Sequence, residues 1–163
     1  MAPAIELSKL GRSYGERTAL SGVTLTLEPG CTLAVFGANG AGKTTLLRIL
    51  ATLLKPHAGR ARADEPVRTL SRGMAQRVAI CRVSLHEPEL LLLDEPLANL
   101  DPGAAEAVEP LIGRTAGPAR VVISHDVEQG LTEADLVLGL RAGRAEMLEP
   151  AGAVTATDVR RLY

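Results

Sequence analysis

The sequence predicts an α/β fold: a mostly parallel central sheet flanked by helices, with a small antiparallel β subdomain at the N-terminus. Three observations carry this. The apolar run Thr32-Leu33-Ala34-Val35-Phe36 enters a glycine-rich loop and then a helical apolar pattern over residues 46–54, the order strand, loop, helix. Four consecutive leucines, 90–93, read as a strand covered on both faces, as parallel strands are, and they end in Asp94 and Glu95. Residues 5–10 and 20–27 alternate apolar and polar side chains, the pattern of half-buried antiparallel strands.

The loop in the first observation is Gly37-Ala38-Asn39-Gly40-Ala41-Gly42-Lys43-Thr44, with Thr45 behind it. Its glycines let successive backbone N–H groups point inward, and the following helix adds the partial positive charge of its N-terminus, so the loop is an anion cradle. In this pattern the lysine, Lys43, reaches the β- and γ-phosphates and the hydroxyl of Thr44 holds Mg²⁺. The fold class is that of a P-loop NTPase, with a nucleotide's phosphates and Mg²⁺ as the expected ligands.

In chain order, Gly11-Arg12-Ser13-Tyr14-Gly15-Glu16-Arg17 is expected as a loop between the two N-terminal strands, with Tyr14 available to a nucleotide base. Glu28-Pro29-Gly30 turns the chain into the P-loop strand. Lys55-Pro56-His57-Ala58-Gly59 ends the P-loop helix, and residues 60–66, poor in large apolar side chains, read as loop or a short strand remnant. A helix is expected after Leu70, capped by Ser71, with Met74, Val78, Cys81 and Leu85 on one face and its positive end offered to a second phosphate contact. Glu87-Pro88 breaks it. The leucine strand then delivers Asp94, a partner for Mg²⁺ opposite Thr44, and Glu95, placed to orient or deprotonate a water. Asp101-Pro102 starts a helix whose apolar face is Ala104, Val108, Leu111 and Ile112, and Pro110 should end or kink it. Residues 119–123 form another buried strand and bring Ser124-His125-Asp126 to the same sheet edge, with Asp126 capping residues 127–131. A strand at 136–140, a turn at 141–144, a last short strand and a terminal helix or tail complete the chain.

At 163 residues the chain suits one domain with a substantial core. Its formal net charge of -1 gives no reason to expect nucleic acid as a partner, and Tyr14, Phe36 and Tyr163 are too few aromatics for a base-stacking platform. No apolar run approaches bilayer length, and the N-terminus lacks a basic start and hydrophobic core, so the sequence is not expected to be secreted or membrane-embedded. Cys31 and Cys81 are far apart, belong to no metal-spaced cluster, and read as reduced core residues of a cytoplasmic protein.

Taken in order, these motifs resemble the nucleotide-binding domain of the ATP-binding cassette (ABC) superfamily over nearly the whole chain. Tyr14 matches the adenine-stacking aromatic, residues 37–45 the Walker A loop, and Leu70-Ser71-Arg72-Gly73-Met74 the signature sequence, with Arg72 and Met74 departing from its commoner Gly and Gln. Residues 90–95 match the Walker B strand with its catalytic glutamate, Leu97-Ala98-Asn99-Leu100-Asp101 the D-loop, and His125 the switch histidine. Within the superfamily, residues 69–88 and 50–56 are similar to the haem-exporter ATPase of bacterial cytochrome c maturation.

The resemblance implies an ATPase subunit peripheral to the cytoplasmic side of the membrane, held there by permease subunits, and a homodimer that sandwiches ATP between one P-loop and the partner's signature helix. Glu95 would activate water and His125 hold it in register; Asp101 and the signature residues Ser71 to Met74 would complete the nucleotide contacts. The chain departs from the family between Lys43 and Ser71, where the family carries a longer insertion with the Q-loop glutamine and most of the helical subdomain. Residues 60–66 look like the join. A nucleotide-binding remnant with little hydrolysis is the competing expectation; an ABC ATPase acting on DNA or ribosomes would carry coiled-coil heptads or basic linkers, and neither is present.

Overall fold

In the computed structural model, residues 2–63, 66–70, 88–98, 100, 102–114 and 117–163 are described. The expected signature residues Ser71, Arg72, Gly73 and Met74 lie outside them, as do Cys81, Asn99 and Asp101.

The N-terminal sheet is antiparallel. Strand β1 (Ile5–Tyr14) pairs with β2 (Arg17–Leu27) on one side and with β4 (Ala58–Ala63) on the other. Both β1 and β2 run further than their apolar alternation suggests, meeting at a two-residue turn, Gly15-Glu16, so Tyr14 ends a strand rather than sitting in a loop. The alternation fails because β1 is irregular: its register with β2 shifts between Leu7 and Leu10 and again up to Ser13, with Lys9 at φ 48°. Such bulges shift the inward-facing set along the strand and hide the pattern from a simple period of two.

The central sheet among the described residues has the order β5-β6-β7-β3-β8-β9, where β3 is Thr32–Phe36, β5 Pro66–Leu70, β6 Leu90–Asp94, β7 Ala119–Ile123, β8 Leu136–Arg141 and β9 Arg144–Pro150. All neighbours are parallel except the β8–β9 hairpin. The join expected at 60–66 is built from two strands. β4 closes the edge of the small sheet, and after two residues β5 takes the edge of the central sheet beside β6.

Helix α1 (Lys43–Leu50) lies between the sheets. Leu46, Leu47, Ile49 and Leu50 pack against Leu7, Leu10, Leu25 and Leu27 from the small sheet and Leu33, Val35, Leu90, Leu92, Val121 and Ile123 from one face of the large one. The opposite face of the large sheet carries α2 (Pro102–Ile112), whose Val108 and Ile112 meet Leu91, Leu93 and Val122, and α3 (Val127–Glu133) with α4 (Ala156–Arg160), whose Val127 and Val159 meet Ala34, Phe36 and Val137. Both faces of β3, β6 and β7 are therefore covered, which is why these strands read as near-continuous apolar runs, interrupted in β7 by Arg120.

Two expected boundaries and one expected packing position are corrected. Helix α1 stops at Leu50 instead of running to residue 54: Thr52 adopts φ 58°, and the N–H groups of Thr52 and Leu53 bond back to Ile49 O and Arg48 O at 3.0 and 2.9 Å. That pair of bonds is a Schellman ending, and it leaves Leu53 72 % exposed. Helix α2 runs through Pro110 to Ile112, since a proline so near the C-terminus removes only one ladder bond and Gly113 N still reaches Glu109 O. Leu111, expected on the apolar face of α2, is exposed.

Candidate functional site

The P-loop leaves the C-terminal end of β3 and turns through three glycines at positive φ: Gly37 at 143°, Gly40 at 83° and Gly42 at 110°. A β-carbon on Gly37 would lie 2.2 Å from the Leu140 carbonyl oxygen, and Gly42, the N-cap of α1, is almost as tight. A β-carbon there would lie 2.3 Å from the Ala19 carbonyl oxygen and 2.9 Å from Leu20 Cδ2, so the loop is pressed against β2 and only glycine fits. The N-cap makes no side-chain hydrogen bond, which leaves the first-turn N–H groups to an anion.

Lys43 is buried, 8 % exposed, and its ammonium donates to Gly37 O at 2.5 Å and Ala38 O at 3.1 Å. Burial pushes its pKa below the ordinary lysine value, and the negative charges of Asp94 and Glu95 act the other way. These contacts hold the ammonium against the loop's own carbonyl oxygens.

Asp94 ends β6, where parallel sheets present their ligand-facing residues, and pairs in register with Ile123 on β7. Glu95 follows with φ 51°, a left-handed conformation that non-glycine residues rarely hold, fixed by its N–H bonding Ile123 O at 2.9 Å. That turn aims the carboxylate across the sheet edge, and Glu95 Oε1 lies 2.9 Å from His125 Nε2. Glu95 is 18 % and His125 51 % exposed, so the pair is reachable from solvent. Ser124 and Asp126 shape the turn that carries His125: Asp126 N donates to Ser124 Oγ at 3.1 Å, and Asp126 Oδ1 accepts from Gln129 N at 2.9 Å as the cap of α3.

One cleft gathers most of the expected site residues. Asn39, Gly40, Gly42, Lys43, Thr44 and Thr45 form its floor, Asp94, Glu95 and His125 one wall, and Tyr14 with Arg17 the other. Thr44 and Asp94 are thus brought to the same space, whereas Gly37, Ala38 and Ala41 do not line it. The signature residues and Asp101 lie outside the described region. Cys31 is a free, half-buried thiol packed on the core, with burial and the charges of Asp135 and Glu28 raising its pKa, and it has no place in the cleft.

Sequence reasoning missed three arginines. Arg12 lies over the Tyr14 ring, 5.1 Å from its centroid, and bonds Lys55 O at 2.9 Å and His57 Nε2 at 2.8 Å, tying the tyrosine's strand to the segment after α1. Arg17 enters the cleft from β2. Arg120, 1 % exposed on β7, donates to Thr32 Oγ1 at 3.0 and 2.9 Å, to Ile112 O at 2.8 Å and to Glu133 Oε2 at 3.2 Å, binding β3, α2 and α3 beneath the site. The only sequence signal for Arg120 was a charge inside an otherwise apolar strand; for Arg12 and Arg17 it was their spacing around Tyr14.

The sequence profile of the family described as ABC transporter matches residues 20–66 and 60–98. The "Aliphatic sulfonates import ATP-binding protein SsuB 1" of Nocardia farcinica is 32 % identical over 194 aligned positions, which take in 86 % of this chain and 79 % of that protein. The chain belongs to the ABC transporter ATP-binding family. A second relative, the "Phosphonates import ATP-binding protein PhnC" of Anaeromyxobacter dehalogenans, is 31 % identical; the match takes in 99 % of this chain but only 48 % of that protein.

Solved structures agree on the fold. CbiO1 from Clostridium perfringens, part of the ABC transporter complex CbiONQ, superposes with a TM-score of 0.79 at 19 % identity over 99 % of this chain and 94 % of that one. A dimeric ATP-binding cassette in a post-hydrolysis state bound to ADP and Pi superposes with a TM-score of 0.76 at 19 % identity over 90 % and 98 %. The fold is therefore that of an ABC ATPase, with its antiparallel N-terminal sheet and mostly parallel central sheet, as expected. The haem-export expectation finds no support in these relatives, which are named as importers.

The comparisons also bear on the join. The family profile matches in two segments that meet at residues 60–66. The 194 positions aligned to the sulfonate-import protein outnumber the 163 residues of this chain, so gaps must open within it.

Proposed function

We propose that this chain is the ATP-hydrolysing subunit of an ABC transporter, working as one shortened nucleotide-binding domain. The observation that carries this reading is the convergence of Lys43, Thr44, Asp94, Glu95 and His125 on one cleft over the P-loop, with the Glu95 carboxylate and His125 imidazole 2.9 Å apart. In that arrangement Lys43 neutralises charge on the terminal phosphates, Glu95 accepts a proton from the attacking water, and His125 holds the carboxylate and water in register. Thr44 and Asp94 supply a hydroxyl and a carboxylate oxygen to the same space, the hard donors that suit Mg²⁺ when phosphate oxygens complete its shell. Bound there, the ion would offset phosphate charge.

The family supports assembly as a nucleotide-sandwiching dimer and attachment to permease subunits at the cytoplasmic face of the membrane. Among the described residues no helix is long and apolar enough to cross a membrane. The relatives favour a role in import over haem export, which rests on residues 50–56 and 69–88 alone. A second reading, a nucleotide-binding remnant without turnover, is favoured by the two-segment profile match at 60–66. Steady-state hydrolysis of Mg-ATP by the purified chain beside Glu95→Gln separates the two: turnover that falls to background in the variant supports the ATPase, and ATP binding with equal background rates in both supports the remnant.

A further inference from the structure

We infer that Arg17 is a second phosphate-binding cation, reaching the nucleotide's phosphate chain from the hairpin side of the cleft; this deepens the ATP-binding reading above and rests on it. Tyr14 and Arg17 are directly paired across the two-residue turn of β1 and β2, so their side chains emerge on one face of the hairpin. Both line the cleft. The guanidinium leans onto the loop itself: Nη2 lies 2.6 Å from the point a β-carbon on Gly40 would occupy.

Among the described residues this guanidinium makes no hydrogen bond or ion pair, in contrast to Arg12, which is engaged by Lys55 O and His57, and to Arg120, which is engaged on three sides. The buried Lys43 donates to the loop carbonyls of Gly37 and Ala38, and Arg17 reaches the loop at exposed Gly40, so two cations meet the loop at different points. A planar fork of N–H donors beside an anion cradle suits phosphate oxygens bidentately. The hairpin thereby supplies an aromatic ring for the base and a cation for the phosphates from residues only three apart.

The test is equilibrium binding of Mg-ATP and of inorganic tripolyphosphate to wild type, Arg17→Ala, Arg17→Lys and Tyr14→Ala, repeated at two salt concentrations, with thermal unfolding to check that each variant is folded. A charge-assisted bond predicts that Arg17→Ala weakens both ligands by about tenfold or more. It also predicts a shallower salt dependence, partial recovery in Arg17→Lys, and in Tyr14→Ala a loss confined to ATP. Wild-type affinity for both ligands in Arg17→Ala overturns the inference while leaving the ATP site intact. A loss for ATP but not for tripolyphosphate also overturns it, because Arg17 then acts only by placing Tyr14. Absence of ATP binding in wild type would remove the underlying reading as well.

Discussion

Replacing Gly42 by alanine tests whether the P-loop is held in shape by its contact with the small sheet. The backbone at Gly42 has φ 110°, outside the wells open to L-residues, and conformations of this kind cost roughly 1–3 kcal/mol for a residue with a β-carbon. The added methyl would sit 2.3 Å from the Ala19 carbonyl oxygen, a buried backbone atom in β2 that cannot rotate away, and 2.9 Å from Leu20 Cδ2. Overpacking of that sort adds about 1–3 kcal/mol. The two together predict a loss of about 3 kcal/mol or more, a fall in Tm of roughly 10 °C for a chain of this size. Gly15→Ala is the matched comparison, because its φ is 57° with nothing within 4 Å of the added methyl, so only the backbone cost of about 1–2 kcal/mol applies. Thermal and urea unfolding of both variants, with ATP affinity measured alongside, gives the comparison. If Gly42→Ala loses no more stability than Gly15→Ala and binds ATP as wild type does, the claim that β2 moulds the loop is refuted.

Three further outcomes follow from the same geometry. Arg120→Met leaves Glu133, Thr32 and the Ile112 carbonyl without their shared donor and should cost about 3–5 kcal/mol in urea unfolding, while Glu133→Gln, which keeps an acceptor, should cost less. Because burial depresses the Lys43 pKa, the folded state binds that proton more weakly than the unfolded chain. The penalty is present in full below the folded-state pKa and is relieved as pH rises from there to the ordinary lysine value, so wild type should gain stability relative to Lys43→Met over that alkaline window in pH-dependent unfolding. Arg12→Ala removes the cation over Tyr14 and should weaken ATP binding about two- to fivefold, with tripolyphosphate binding unchanged in the same titration.

The parts of the fold that could be read from the sequence are those whose burial is local and two-sided. The strands β3, β6 and β7 are covered on both faces and appear as apolar runs with the bounds expected; Asp94 and Glu95 mark the sheet edge, and Asp126 caps α3 as its position before residues 127–131 suggests. What was hidden depends on partners distant in sequence. Ala58–Ala63 is a strand because β1 offers it an open edge, and its alternating Ala and Arg give no apolar signal of their own. The early end of α1 comes from Thr52 in a left-handed conformation, which threonine does not advertise. Of the site, the P-loop, Asp94, Glu95 and His125 were readable because each lies at or just past the C-terminal end of a strand. The placements of Arg12 and Arg17 were not, since they arise only when β1 and β2 continue to a two-residue turn, which sets Arg12 over the Tyr14 ring and Arg17 beside Gly40.

Equilibrium titration of Mg-ATP into wild type and Lys43→Ala asks whether this shortened chain still assembles an ATP site. Saturable binding with one nucleotide per chain in wild type, lost in Lys43→Ala while the variant remains folded, is the predicted result. No saturable binding in wild type, or equal binding in both proteins, would contradict it.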